Sequence, residues 1–262
     1  MKKGMDRDAL LAQYLAEKEE RRARNLGYAE KGVFFADLDT AYIDEGVKLD
    51  PGVQVGPCVR IRGETRIGKN TTVGAGTYLE NATIGAECAI GQGCRIIDTR
   101  IEEGVSVLSS VLVKSKVAAG ACIGPFAYLR PDSRVGRDVK IGDFVEVKNS
   151  VIGDGTKVSH LTYVGDADLG KDINLGCGVV FVNYDGEKKH RSRVGDGAFI
   201  GCNANIISPV EVGAGAYVAA GTTVTEDVPP ESLTIGRTRE TVIDGWKRRK
   251  AAPKKKKAKE KE

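Results

Sequence analysis

Histidine is almost missing from this chain, with only His160 and His190 among 262 residues. A zinc centre built on three histidines is thereby excluded. The six cysteines (Cys58, Cys88, Cys94, Cys122, Cys177 and Cys202) form no C-x-x-C pair and show no scaffold-like spacing. That excludes a disulfide framework and reads as buried or semi-buried free thiols in a reducing compartment. No apolar run is long enough to cross a bilayer, and no signal-peptide pattern opens the chain, so a soluble cytoplasmic protein is expected. A net positive charge is confined to one end. The formal charge is +4, but residues 245–262, with ten Lys or Arg against two Glu, contribute +8 and leave the rest at −4. Residues 250–262 therefore read as a disordered, Lys-rich solubilising tail, and with no basic face expected on the folded part, nucleic acid is not an expected partner.

Glycine is abundant, at 33 residues, and it is spaced. From about residue 43 to 224 an aliphatic residue returns every six positions, often followed by glycine, as in Ile67-Gly68, Ile84-Gly85, Ile141-Gly142, Val164-Gly165 and Ile200-Gly201. Neither an amphipathic helix nor an alternating strand has that period. A short fixed repeat marks a parallel β-helix, in which each coil buries one stripe of side chains against the next. Three hexads make one triangular coil. The inward series from Ile43 to Val218, with Phe181 as its one aromatic member, predicts about ten coils. Periodicity does not give the hand of the winding. Between Phe181 and Val194 the step lengthens to thirteen residues, so a loop carrying Asp185-Gly186 leaves the prism there.

The spacing ahead of the prism predicts a helix over residues 6–27, capped by Asp6 and ended by Gly27. Leu10, Leu11, Tyr14 and Leu15 form its apolar stripe, and Glu17–Arg21 and Glu20–Arg24 stand at i,i+4 spacing. Since only its first half has an apolar face, the helix should project from the prism or pack on another subunit.

The repeat grid also sorts the polar residues. His160 lies two positions past an inward valine, and the same phase in later coils holds Cys177, Cys202 and Ala220. A column of small residues beginning at an imidazole suits the floor of a groove for an extended ligand, with a base at one end. It equally suits a flattened subunit contact. Arg130 and Lys148 share a phase one coil apart, which suits an anion between them. Asp132 and Glu146 offer salt-bridged surface charges as the other explanation. His190 reads as a solvated loop residue.

Several strings go further than the grid. Gly124-Pro125-Phe126-Ala127-Tyr128-Leu129-Arg130-Pro131, Gly142-Asp143-Phe144-Val145-Glu146-Val147-Lys148-Asn149, His160-Leu161-Thr162-Tyr163-Val164-Gly165-Asp166-Ala167, Asn183-Tyr184-Asp185-Gly186 and Ile235-Gly236-Arg237 resemble the acetyltransferase half of the bacterial bifunctional enzymes that make UDP-N-acetylglucosamine. The likeness is weak over residues 10–120 and strong from 121 to about 249.

The resemblance implies a left-handed parallel β-helix that assembles as a homotrimer. It implies acetyl transfer from acetyl-CoA to the amine of glucosamine-1-phosphate, for envelope-sugar synthesis, with no metal. On the matching positions His160 is the general base, and Arg130, Lys148, Tyr163 and Asn174 bind the sugar phosphate. Cys177, Asn183, Tyr184, Lys189, Cys202, Ala220 and Arg237 match the acetyl-CoA groove. Two positions depart from the family pattern: Cys202 replaces a serine and Cys177 an alanine, and a thiol is the weaker hydrogen-bond donor. No glycine-rich nucleotide loop is present in the first forty residues. Uridylyl transfer is therefore not expected here and would fall to a separate polypeptide. The expected organisation is a helical arm (1–40), the β-helix (41–228), an extension completing the CoA site (229–249) and the tail (250–262). Another amino-sugar phosphate or nucleotide sugar as acceptor, and a trimeric scaffold with weak turnover, stand as alternatives.

Overall fold

The computed structural model describes residues 6–247, and the Lys-rich tail expected over 250–262 lies outside them. One helix, α1 (Arg7–Ala29), is followed by short strands in three parallel sheets. A twelve-stranded sheet runs from Phe34–Phe35 to Leu233–Thr234, an eleven-stranded sheet from Tyr42–Ile43 to Thr223–Val224, and a ten-stranded sheet from Lys48–Leu49 to Glu211–Val212. Successive strands fall to successive sheets, so the chain winds as a β-solenoid. It has about twelve turns rather than the ten expected. The difference lies at the ends. Phe34–Phe35 and Leu233–Thr234 pair with their neighbours although neither brings an inward aliphatic residue, so the hexad beat does not mark them.

Every inward position of the hexad series is buried, from Ile43 through Phe181 to Val218. A second inward column lies two residues earlier in each hexad and does not stand out by hydropathy. It holds Thr65, Thr71, Thr77, Ser110, Ser133, Ser150, Thr156, Thr162 and Thr222, all buried. Their hydroxyls satisfy backbone groups that the tight corners leave over. Thr71 Oγ1, for example, donates to Gly85 O at 2.9 Å and accepts from Cys88 N at 3.0 Å. A buried hydroxyl so paired avoids the cost of an orphaned polar group.

Close stacking makes some glycines obligatory. A Cβ on Gly142 would overlap the carbonyl of Ser159 in the next coil, where the backbone cannot retreat without losing register. Gly142→Ala is expected to destabilise the fold by about 1–3 kcal/mol or more, read as a lowered urea midpoint. An unchanged midpoint would mean that the coils are not stacked as described.

The helix departs from expectation in two ways. It passes through Gly27 to Ala29, because its second half is held by packing rather than left to fray. Asn25, fully buried, donates to Leu38 O and Ala41 O, and Tyr28 Oη donates to Val47 O. The i,i+4 pairs do not form, since Arg21 bonds Asp39 O and lies over the Tyr42 ring while Arg24 bonds Ile43 O and Glu45. The apolar stripe of the first half stays exposed, as expected of a projecting element. The cysteines split: Cys88 and Cys94 are buried and Cys177 is half-buried, whereas Cys58, Cys122 and Cys202 are exposed, and all are free thiols. Among the described residues no helix is long and apolar enough to cross a membrane.

Candidate active site

The column predicted above His160 is real, and the backbone ladder defines it. Gly178 N donates to His160 O, Asn203 N to Cys177 O and Gly221 N to Cys202 O. Each step climbs one coil along the corner between the twelve- and eleven-stranded sheets. At its top, beyond Cys202, Arg237 Nη1 donates to Ala220 O at 2.8 Å. The chain that follows the last strand thus returns to the head of the column.

At the foot of the column His160 pairs across strands with Asp143, and its Nδ1 lies 2.6 Å from Asp143 Oδ1. An ionised carboxylate can only accept, so Nδ1 is the donor, and in the neutral imidazole the lone pair is then on Nε2. The bond from His160 holds the Asp143 carboxyl below its ordinary pKa. Both side chains remain partly exposed, at 56% and 37%. Asp143 carries no signal of this role in the sequence, because its partner is seventeen residues away.

Around the corner, on the eleven-stranded sheet, the cations gather. Arg130 and Lys148 do share a phase, but each has a carboxylate. Arg130 Nη1 meets Glu146 Oε1 at 2.7 Å and Lys148 Nζ meets Asp166 Oδ2 at 3.4 Å. The salt-bridge explanation therefore holds for Arg130, with Glu146 as partner. Lys189, from the loop, joins them. The hydrogen bond from Lys148 and the charge of that ammonium push the Lys189 amine below the usual lysine value, with Arg130 adding to the effect. Lys189 as acceptor, together with Asp166, holds Lys148 above it. A phosphate placed there would favour the charged form of both amines.

Asp166 ties this cluster to the loop. Burial alone would raise its pKa, but bonds from Asn149, Asn183 and Lys148 carry it below the ordinary value. Asn149 Nδ2 and Asn183 Nδ2 each donate to it at 2.5 Å. A depressed carboxyl keeps these bonds above the normal aspartate range and loses them as pH falls through its lowered pKa. The loop should therefore stay anchored in mildly acidic solution. Gly165 leaves room beside it, and a Cβ there would displace the ends of the Tyr163 and Asn183 side chains.

The loop itself, residues 183–191, is built rather than slack. Asp185 accepts from Glu187 N and Lys188 N, and its other oxygen meets His190 Nε2 at 2.5 Å. The Lys188 and His190 contacts, then Glu187, hold the Asp185 carboxyl far below its normal pKa. His190 is therefore a partly buried staple, not the solvated residue expected. Tyr184 is exposed, with its hydroxyl on Gly186 O. Arg191 closes the loop onto Asp168 and Asn149 O.

The structure thus brings Arg130, Lys148, Tyr163, Asn183 and Lys189 together, with His160 on the adjoining corner. It does not bring in Asn174, which faces outward on the twelve-stranded sheet between Lys157 and Phe199. Beside the column the corner carries an exposed apolar ridge. Phe126 and Phe144 stack at 5.6 Å, 59% and 58% exposed, with left-handed φ of 58° and 55°. Leu161 continues the ridge, exposed and also left-handed. Bulky residues are rare in that conformation.

Residues 191–226 match the family described as bacterial transferase hexapeptide (six repeats). The resemblance read from the sequence holds. The chain is 59% identical over 152 residues to the bifunctional protein GlmU of Acetivibrio thermocellus, a match covering 58% of this chain and 33% of the relative. It is 52% identical over 161 residues to GlmU of Clostridium botulinum, covering 62% and 35%. The chain thus spans about a third of the length of these curated relatives, and the match falls in their C-terminal third. Among solved structures, perosamine N-acetyltransferase of Caulobacter crescentus, solved with CoA and GDP-perosamine, is 26% identical with a TM-score of 0.40, covering 47% of this chain and 68% of that one. UDP-N-acetylglucosamine acyltransferase of Francisella novicida is 18% identical with a TM-score of 0.35, covering 84% and 75%.

Proposed function

We propose that the protein transfers the acetyl group of acetyl-CoA to the amine of glucosamine-1-phosphate. The observation that carries this reading is the His160–Asp143 pair, an imidazole with a free Nε2 at the foot of a groove, next to the cations of Arg130, Lys148 and Lys189. The similarity to GlmU supports it. In the proposed reaction the sugar phosphate sits against the cations, which orients its amine toward His160. The amine nitrogen attacks the thioester carbon, Nε2 takes the proton shed by nitrogen, and CoA departs as the thiol once a proton returns to sulfur. The groove past Cys177, Cys202 and Ala220 holds the donor, with Tyr184 and Asn183 at its side and Arg237 at its head. The Cys202 thiol is a weak donor toward the thioester oxygen, so the developing oxyanion depends on backbone N–H groups. No metal takes part.

Asn174 faces away from the cations of its own chain, and the Phe126–Phe144–Leu161 ridge is left bare. Both features support a homotrimer, in which a second copy covers the ridge and Asn174 serves a neighbour's site.

Asp143 is a positioning residue in this scheme. Asp143→Asn keeps the shape but can present an N–H to Nδ1, which favours the wrong tautomer. Its kcat is expected to fall about 10- to 100-fold, with the acceptor KM little changed. A matched loss in KM would assign Asp143 to binding instead.

The acceptor is tested by offering acetyl-CoA with equimolar glucosamine-1-phosphate, other amino-sugar phosphates and an amino nucleotide sugar, followed by mass spectrometry. N-acetylglucosamine-1-phosphate should accumulate first. Preferential acetylation of another acceptor would transfer the assignment to it, and no acetylated product would remove the transferase reading.

A further inference from the structure

Two of the six thiols, Cys177 and Cys202, stand in register on adjacent coils. Leu175 pairs with Ile200, Gly176 N donates to Ile200 O, and Asn203 N donates to Cys177 O. These bonds place Cys177 and Cys202 opposite one another on adjacent coils, just past the strand ends where the backbone turns the corner. Neighbouring strands lie about 4.8 Å apart, inside the range of about 4.4–6.8 Å between the α-carbons of a disulfide. Cys202 is exposed and Cys177 half-buried, on the groove that climbs from His160 to Ala220.

The other thiols lack this arrangement. Cys122 lies between Ser106 and Lys140 in the sheet, and Cys58 is bonded through its amide to Thr40. Cys88 and Cys94 are buried, with their sulfurs on Glu102 O and Val107 O, and burial pushes both thiols up in pKa. Reactivity toward oxidants follows access to the thiolate, which these two lack.

We propose that Cys177 and Cys202 form a dithiol site that a small-molecule disulfide, such as oxidised glutathione, converts to an intramolecular disulfide, closing the groove to the acyl donor. The Cys202 thiolate attacks one sulfur of the small disulfide and releases its first thiol. The Cys177 thiolate then attacks the Cys202 sulfur and expels the second. Two protein thiols lose two protons and two electrons, and the small disulfide becomes two thiols. The bond joins the groove floor across two coils at the point where the donor's thioester would lie. That consequence for turnover rests on the proposed function, whereas the bond itself does not.

The test is to treat the full-length protein with oxidised glutathione, block remaining thiols with iodoacetamide, and map linked peptides by mass spectrometry. A Cys177–Cys202 link that dithiothreitol reverses, and that is absent from Cys177→Ala and Cys202→Ala, is the expected result. Glutathione retained on Cys202 without the link, or links chiefly to Cys58 or Cys122, would overturn the site. Acetyl-CoA binding, followed by equilibrium dialysis, should be lost in the linked protein and regained on reduction. Undiminished binding by the linked protein would overturn the closure. If the reduced protein binds acetyl-CoA but acetylates no acceptor, the proposed reaction fails while the link and the binding still judge the dithiol.

Discussion

His160→Ala is expected to lower kcat for acetyl transfer by about 10²–10⁴-fold, the usual share of a positioned general base. The loss should appear in single-turnover experiments with acetyl-CoA bound, since the variant leaves the column above it untouched. The fold should survive. The imidazole is 56% exposed, and its packing contributes little to the prism, while its backbone carbonyl keeps the bonds from Gly178 N and Thr162 Oγ1. A variant that unfolds would show that His160 is structural. One that acetylates at the normal rate would show that another group, or water, takes the proton. Adding imidazole offers a further check, because a missing base can be replaced from solution whereas a missing packing group cannot.

Phe181→Ala should produce the largest loss of stability, about 3–5 kcal/mol for a fully buried phenylalanine. Phe181 is wholly inaccessible and fills the prism at the coil where the neighbouring inward residues are smaller: Val164 below, Ile206 above, and Leu169 and Val194 in the ten-stranded sheet. Its backbone leads directly into the loop that carries Asn183, Tyr184 and Lys189. A cavity there would loosen both the stack and the donor side of the groove. Urea unfolding at one fixed protein concentration measures the change, since self-association would otherwise shift the apparent stability. A loss below about 1 kcal/mol would mean that the coils collapse around the gap, against the rigidity inferred from the close approach of Gly142 to Ser159.

The architecture is legible in the sequence because one column of each face must be aliphatic, and Ile43 through Val218 obey that rule at fixed intervals. The second inward column is not legible by hydropathy. Thr71, Ser150 or Thr156 look like surface residues until the neighbouring coil supplies a carbonyl and an amide for the hydroxyl. The ends of the solenoid, at Phe34–Phe35 and Leu233–Thr234, escape because neither strand brings an inward aliphatic residue.

The site divides along the same line. The column from His160 to Ala220 follows from phase, and so does the stacking of Arg130 over Lys148. Asp143 and Asp166 do not, since each takes its meaning from a partner one coil away and the coils differ in length. His160 is seventeen residues from Asp143, whereas Cys202 is twenty-five from Cys177 because the loop intervenes. His190 was misread for a related reason: its staple to Asp185 is a property of the closed loop, not of composition. The helix shows the converse error. Its i,i+4 charge pairs satisfied a local rule, but Asp39, Ile43 and Glu45 of the first coil offered Arg21, Arg22 and Arg24 better partners.

The most direct measurement is a crystal structure of the protein with acetyl-CoA and glucosamine-1-phosphate, or with the products where turnover is fast. The sugar nitrogen should lie within hydrogen-bond distance of His160 Nε2, with the phosphate against Arg130 and Lys148 and the pantetheine arm running past Cys177 and Cys202. A phosphate bound elsewhere, or an amine facing away from His160 while the donor occupies the groove, would contradict the proposed reaction.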